Sequence, residues 1–137
     1  MIRFEETLHA HWAQVFKINQ VLFHETSEEW DLAIFESGTF GRVLALDGII
    51  QTTQGDEAHY HEMIAHVPIL AHGAARRVLI IGGGDGGTLR EVLKHPGVEA
   101  TMVEIDPAVI EMSKAHLPTL SDGAFDDPRG QVVIADG

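Results

Sequence analysis

The sequence contains no cysteine, which excludes disulfides, thiolate metal sites and cysteine nucleophiles. It has no apolar run of about 18 residues, and its first residues, MIRFEETLHAHW, lack the apolar core of a signal peptide. Basic residues are scarce: 9 Lys and Arg stand against 21 Asp and Glu, giving a net charge of −12. This charge disfavours nucleic acid and membranes as partners and favours a cationic small molecule, although solubility alone would also explain it. We therefore expect a soluble cytoplasmic protein.

The first third of the chain has the pattern of β-strands. With 45% hydrophobic residues, the 137-residue chain can bury a core in one domain or two small units. Alternating or β-branched segments predict strands at 13–18, 20–26, 31–37, 41–48 and 49–53. Turn signals separate them at Asn19, Glu28–Glu29, Ser37–Gly38 and Asp47–Gly48. The Asp-Gly pair is a strong hairpin signal, so we predict an antiparallel meander of about five strands over residues 10–54.

From residue 56 the pattern changes to helices alternating with strands. A helical period predicts a helix over 56–70 that ends at Gly73. A β-α-β-α-β series is then predicted at 77–82, 87–95, 99–106, 107–117 and 131–136. The first of these strands, RVLIIG, has a continuous apolar run after its arginine, which is typical of a strand buried on both faces.

These elements predict an α/β protein with a boundary near residue 55. Residues 1–55 would form the N-terminal antiparallel β-meander, and residues 56–137 a Rossmann-like, methyltransferase-type unit. Half of a doubly wound sheet leaves its first strand as an open apolar edge. We therefore expect a fragment of a longer enzyme, the alternative being a partner chain that covers this edge.

A glycine-rich loop with an adjoining acid predicts a nucleoside site. The loop between the first strand and helix of this unit contains Gly82, Gly83, Gly84, Gly86 and Gly87. Three of them match G-x-G-x-x-G, which allows a tight turn and close approach of a ligand to the backbone. Glu104, 20 residues after Gly84, ends the second strand, where it could accept hydrogen bonds from ribose hydroxyls. The pattern fits either a dinucleotide or an adenosyl-sulfonium ligand.

Asp85, within this loop, favours the sulfonium alternative. Its carboxylate would repel a pyrophosphate but would attract a positively charged ligand. It would also repel the carboxylate of S-adenosylmethionine, whereas a decarboxylated ligand with a terminal ammonium would be attracted. The alternative role for Asp85 is to cap the following helix, and both roles can coexist because a carboxylate has two oxygens.

Several motifs together resemble the spermidine synthases, the polyamine aminopropyltransferases. The matching segments are FGRVLALDGIIQTT, DEAHYHEMIAHVPILAH, VLIIGGGDGGTLREVLKH, MVEID and FDDPR. The resemblance implies a small N-terminal β-domain that helps build a homodimer or homotetramer, followed by a Rossmann-like domain. It also implies transfer of an aminopropyl group from decarboxylated S-adenosylmethionine to putrescine, which gives spermidine and methylthioadenosine.

The resemblance also implies roles for individual residues. Asp85 would bind the terminal amine, and Glu104 the ribose hydroxyls. The other implied ligand contacts are Tyr60 and His61 at the amine, Gln51 at the nucleoside, and Asp136 with Gly137 at the adenine. Trp30 stands where the family usually has Gln, which puts one ligand contact in doubt. The family's catalytic Asp is expected beyond Gly137, so no catalytic residue is assigned and the chain alone is expected to be inactive.

Metal and cofactor chemistry is not expected. The histidines His59, His61, His66 and His72 lack the i, i+4 spacing of metal-binding helices. A sulfonium leaving group needs neither a metal nor a further cofactor. Three alternatives stay open: a non-catalytic assembly or regulatory partner, another enzyme of the methyltransferase fold, and, for Tyr60, a plain packing role in the core.

Overall fold

The computed structural model describes residues 2–28 and 30–137, so the predicted turn at Glu28–Glu29 lies partly outside the described residues. Contacts divide the chain into two compact units, Met1–Asp56 and Glu57–Gly137. None of the described helices is long and apolar enough to cross a membrane.

The first unit is a five-stranded antiparallel sheet in which each strand pairs with the next. Its strands are β1 (Ile2–Glu5), β2 (Val15–Thr26), β3 (Asp31–Ser37), β4 (Gly41–Leu46) and β5 (Ile49–Thr53). The predicted hairpin is confirmed: Asp47 and Gly48 join β4 to β5 with φ angles of 52° and 75°, as a two-residue primed turn requires. Phe16, Phe35 and Val43 are buried in its core.

The structure differs from the predicted meander in two places. The segments 13–18 and 20–26 are a single strand, β2, because the chain passes Asn19 through a register shift against β3 rather than a turn. Strand β1 is not among the predicted strands, since four residues are too few to show a clear alternation.

The second unit contains a parallel three-stranded sheet with the order β6-β7-β8. Its elements are α1 (Glu57–His72), β6 (Arg77–Ile81), α2 (Gly87–Leu93), β7 (Glu99–Glu104), α3 (Pro107–His116), α4 (Pro118–Ser121), a 3-10 turn (Ala124–Asp126) and β8 (Gly130–Ile134). The predicted β-α-β-α-β order is therefore confirmed. The end of α1 is also as predicted, because Gly73 follows it in the left-handed region with φ 75°.

Strand β6 is not buried on both faces, contrary to the prediction from its apolar sequence. Ile80 is 8% exposed, whereas its neighbours Leu79 and Ile81 are 62% and 63% exposed. Residues of α1, α2 and α3 share one core with Ile80 and Met102, so these helices cover the face on which Ile80 lies. Because side chains alternate along a strand, Leu79 and Ile81 lie on the other face.

Candidate functional site

The carboxyl ends of the parallel strands bring three predicted ligand segments to one edge of the sheet. The glycine loop follows β6, Glu104 ends β7, and Asp136 follows β8. The N–H of Ala135 donates to the carbonyl oxygen of Glu104 at 3.1 Å. A Cβ added to Gly137 would lie 2.6 Å from Cγ2 of Ile81, so the end of the chain lies against the end of β6.

The glycine loop requires glycine for two different reasons. Gly82, Gly83 and Gly86 have φ angles of 80°, 86° and 81°, which side chains rarely allow. Gly84 instead lacks space, since a Cβ there would lie 2.9 Å from Oε2 of Glu104. The backbone of the loop therefore passes directly beside the buried acid.

Glu104 has a structural role that the sequence analysis does not predict. Its Oε2 accepts the N–H of Gly84 at 2.9 Å, and its Oε1 accepts the N–H of Asp106 at 3.1 Å. The buried carboxylate thus ties the glycine loop to the turn that begins α3. Each oxygen keeps a second lone pair, so the predicted bonds from ribose hydroxyls remain chemically possible.

Asp85 is held by the backbone and lies beside a histidine. Its Oδ1 accepts the N–H of Gly87, the first residue of α2, at 2.6 Å. The alternative capping role is thus present in part, although Gly86 occupies the N-cap position itself. The same oxygen lies 3.4 Å from Nε2 of His61, and the Asp85 side chain is partly exposed.

His61 is buried between two carboxylates. Its side chain is 1% exposed, and its Nδ1 lies 2.5 Å from Oε2 of Glu57, one turn earlier on α1. Burial disfavours the imidazolium, but Asp85 and Glu57 outweigh burial and raise the pKa of His61 above its ordinary value. The protonated ring can therefore donate to Glu57 through Nδ1 while its Nε2–H is directed to Asp85.

Glu57 and Arg90 are site residues that the sequence analysis misses. Arg90, on α2, binds Glu57 through both nitrogens of its fork, with Nη2–Oε2 at 2.9 Å and Nη1–Oε1 at 3.2 Å. Burial alone would raise the pKa of Glu57, but the bonds from Arg90 and His61 lower it below the ordinary value. The acid–histidine spacing of i, i+4 could have indicated Glu57, whereas no local signal indicates Arg90.

A second buried acid extends this ionic network along the same pair of helices. Glu91 binds the neighbouring Arg90 at 2.9 Å, Lys94 at 2.7 Å and His66 of α1 at 2.8 Å. His66 also contacts His95 through their ring nitrogens at 2.8 Å. Within residues 2–28 and 30–137, no cluster of His, Asp and Glu is arranged to hold a metal ion.

The remaining predicted residues of this unit are accessible. Tyr60 is 61% exposed, and its ring meets that of His61 edge-on, so the alternative of a core packing role is wrong. Asp136 and Gly137 are exposed at the same edge of the sheet as the glycine loop. An exposed phenol and an exposed carboxylate are both available to a ligand at this edge.

Two predicted positions lie in the first unit. Gln51 is exposed on β5, and its side-chain amide donates to the carbonyl oxygen of Ile49 at 3.3 Å. Trp30 is half-buried just before β3, where its backbone N–H donates to Oγ of Ser27 at 3.1 Å. Gln51 therefore lies in the middle of β5, whereas Trp30 directly precedes β3.

The fold and the site define a class: a parallel α/β unit with a glycine loop after its first strand and an acid at the end of its second. The family model of the spermine/spermidine synthase domain matches residues 57–137, and that of the spermidine synthase tetramerisation domain matches residues 2–54. The chain belongs to the spermine/spermidine synthase family.

Curated relatives support this assignment. The chain is 59% identical over 133 residues to the polyamine aminopropyltransferase of Sodalis glossinidius, covering 96% of this chain and 46% of the relative. It is 60% identical over 138 residues to polyamine aminopropyltransferase 1 of Pseudomonas aeruginosa, covering 100% and 48%. The chain therefore spans about half the length of the curated relatives it matches.

Solved structures agree with the fold. A crystal structure of spermidine synthase in complex with the transition-state analogue AdoDATO matches with a TM-score of 0.93 and 47% identity, over 98% of this chain and 48% of that one. The spermidine synthase of Thermotoga maritima matches with the same values. The family resemblance and the fold class predicted from the sequence are confirmed.

The contact between Gly87 and His61 predicts a position-specific cost for an added methyl group. A Cβ on Gly87 would overlap the imidazole ring of His61, which Glu57 holds in place. We expect Gly87→Ala to lower the free energy of unfolding by about 1–3 kcal/mol, measured by urea denaturation. In a His61→Ala background the same change should cost much less.

Gly130→Ala is the matched control, since a Cβ there lies 3.4 Å from its nearest neighbours. An equal cost for Gly87→Ala with and without the His61 ring would show that this contact does not restrict position 87.

The raised pKa of His61 predicts a stability that declines with pH. The folded chain binds this proton more tightly than the unfolded chain, so the stabilisation is complete below the ordinary value of 6.5. It is lost as the pH rises through the folded pKa. Urea denaturation at a series of pH values above 6.5 should show that the free energy of unfolding declines in the unmodified chain. The decline should be smaller in His61→Gln. The control His72→Gln changes an exposed histidine of the same helix and should keep the full decline.

Proposed function

We propose that this chain takes part in the transfer of an aminopropyl group from decarboxylated S-adenosylmethionine to putrescine, as the donor-binding part of the active site. The amine nitrogen attacks the carbon next to the sulfonium, and the carbon–sulfur bond breaks. Its electron pair passes to sulfur, which gives methylthioadenosine. The new secondary ammonium loses a proton, which gives spermidine. The sulfonium is itself a good leaving group, so the proposal includes no metal and no further cofactor.

Asp85 is the observation that carries this proposal. A phosphate-bearing ligand in the glycine loop would meet a carboxylate whose Oδ1 already caps Gly87. A terminal ammonium would instead find a partly exposed anion at the sheet edge. A desolvated ammonium–carboxylate pair is a strong, charge-assisted hydrogen bond, so this position selects for an amine.

The remaining proposed roles are those that the family resemblance implies. Glu104 would accept the ribose hydroxyls with its free lone pairs, and Asp136 with Gly137 would contact the adenine. Tyr60 and His61 would lie at the amine end of the ligand, while Gln51 would contact the nucleoside. We also propose that the antiparallel sheet joins copies into a homodimer or homotetramer, which the match to the tetramerisation domain supports.

In-line attack needs both reactants fixed in one geometry, and this supplies much of the rate acceleration. The loop achieves this on the donor side because its backbone is restrained at Gly84 by Glu104 and at Gly87 by Asp85. The described residues therefore form the donor-binding part of the proposed active site.

Calorimetry with decarboxylated S-adenosylmethionine and methylthioadenosine tests the role of Asp85. We expect Asp85→Asn to weaken binding of the decarboxylated ligand about 10- to 100-fold, because one charged hydrogen bond is lost. Binding of methylthioadenosine should weaken much less. The control Asp126→Asn removes the same charge from an exposed position of this unit. Equal weakening of both ligands by Asp85→Asn would refute the ammonium role. Tighter binding of NAD or of S-adenosylmethionine than of methylthioadenosine would refute the proposed function.

A further inference from the structure

Asp85 faces the imidazole of His61, a ring that can carry a positive charge. Nε2 of His61 lies 3.4 Å from its Oδ1, and the ring is buried. Three elements surround the ring: Glu57 comes from α1, Asp85 from the glycine loop, and Gly87 from the start of α2. Arg90 of α2 binds Glu57, the carboxylate next to the ring.

The charges of the four side chains Glu57, Asp85, His61 and Arg90 sum to zero only while His61 is protonated. The carboxylates of Glu57 and Asp85 are then matched by the imidazolium and the Arg90 guanidinium. A ligand ammonium at Asp85 would add a third positive charge within a few ångströms of the buried imidazolium. Two like charges so close in a poorly solvated place repel strongly, so one of them must be lost.

The imidazole is the group that can lose its charge without losing its partners. A neutral ring keeps Nδ1–H, which still donates to Glu57 at 2.5 Å. Its Nε2 then carries a lone pair directed to the place beside Asp85. An ammonium has three N–H donors, so it can bind Asp85 and Nε2 of His61 at once.

We propose that binding of the ligand's primary ammonium at Asp85 displaces one proton from Nε2 of His61 to solvent, so that uptake of the amine-bearing ligand is coupled to proton release. The inference rests on the proposed function, which places the ammonium at this carboxylate. The partly exposed Asp85 connects the buried ring to solvent and offers the proton an exit. Glu57 is a positioning residue, since it fixes the tautomer that leaves Nε2 free to accept.

Proton coupling has a consequence for affinity. By linkage, release of one proton makes the amine-bearing ligand bind up to about tenfold more tightly per unit rise in pH, until free His61 is itself neutral. Methylthioadenosine has no ammonium, so its affinity should not follow this dependence. The comparison of the two ligands separates this effect from a general effect of pH on the fold.

Calorimetry in two buffers of different ionisation enthalpy tests the inference on the full chain. We expect close to one proton released per decarboxylated S-adenosylmethionine bound and none per methylthioadenosine at a pH where His61 is protonated. Nitrogen-15 NMR should show Nε2 of His61 changing from protonated to unprotonated on adding the decarboxylated ligand. His72, at the far end of α1, is the internal control and should not change.

In the variant His61→Gln, binding of the decarboxylated ligand should be weaker and should release no proton. If this variant does not fold, the NMR measurement on the unmodified chain still decides. Binding of the decarboxylated ligand with no proton release and an unchanged His61 signal would overturn this inference alone. Failure of both ligands to bind would overturn the proposed function, and the inference with it.

Discussion

The buried imidazole of His61 lies between the carboxylates of Glu57 and Asp85, with the backbone of Gly87 directly against its ring. This placement restricts everything around it. Residue 87 has no room for a side chain, Asp85 is held close to the first turn of α2, and Glu57 must be anchored by Arg90 to remain charged in a half-buried place. The conformation of the glycine loop thus depends on a side chain from the preceding helix.

Glu104 gives the loop its second restraint. A buried carboxylate is costly unless backbone N–H groups bind it, and the loop supplies one such group at Gly84 while the start of α3 supplies another at Asp106. The same acid can therefore hold the loop and still present lone pairs to a ligand. Both acids accept backbone N–H groups, but Asp85 also faces the histidine, which makes the two ends of this edge chemically distinct.

The sequence predicts much of this arrangement because its signals are local. The apolar strand before the glycines, Pro107 at the start of α3 and the Asp47–Gly48 turn each specify their own backbone. What it does not predict depends on contacts distant in sequence. The pair of Glu57 with Arg90 spans two helices, the bulged passage of β2 past Asn19 depends on its pairing with β3, and the exposure of Leu79 depends on which face the helices cover.

We propose that Asp85 and Glu104 hold the two ends of one adenosyl-sulfonium ligand. A crystal structure of the chain with decarboxylated S-adenosylmethionine tests this most directly. We expect the aminopropyl nitrogen within about 3 Å of an Asp85 oxygen and the ribose hydroxyls hydrogen-bonded to Glu104. A ribose bound away from Glu104, or an aminopropyl nitrogen directed away from Asp85, would contradict it.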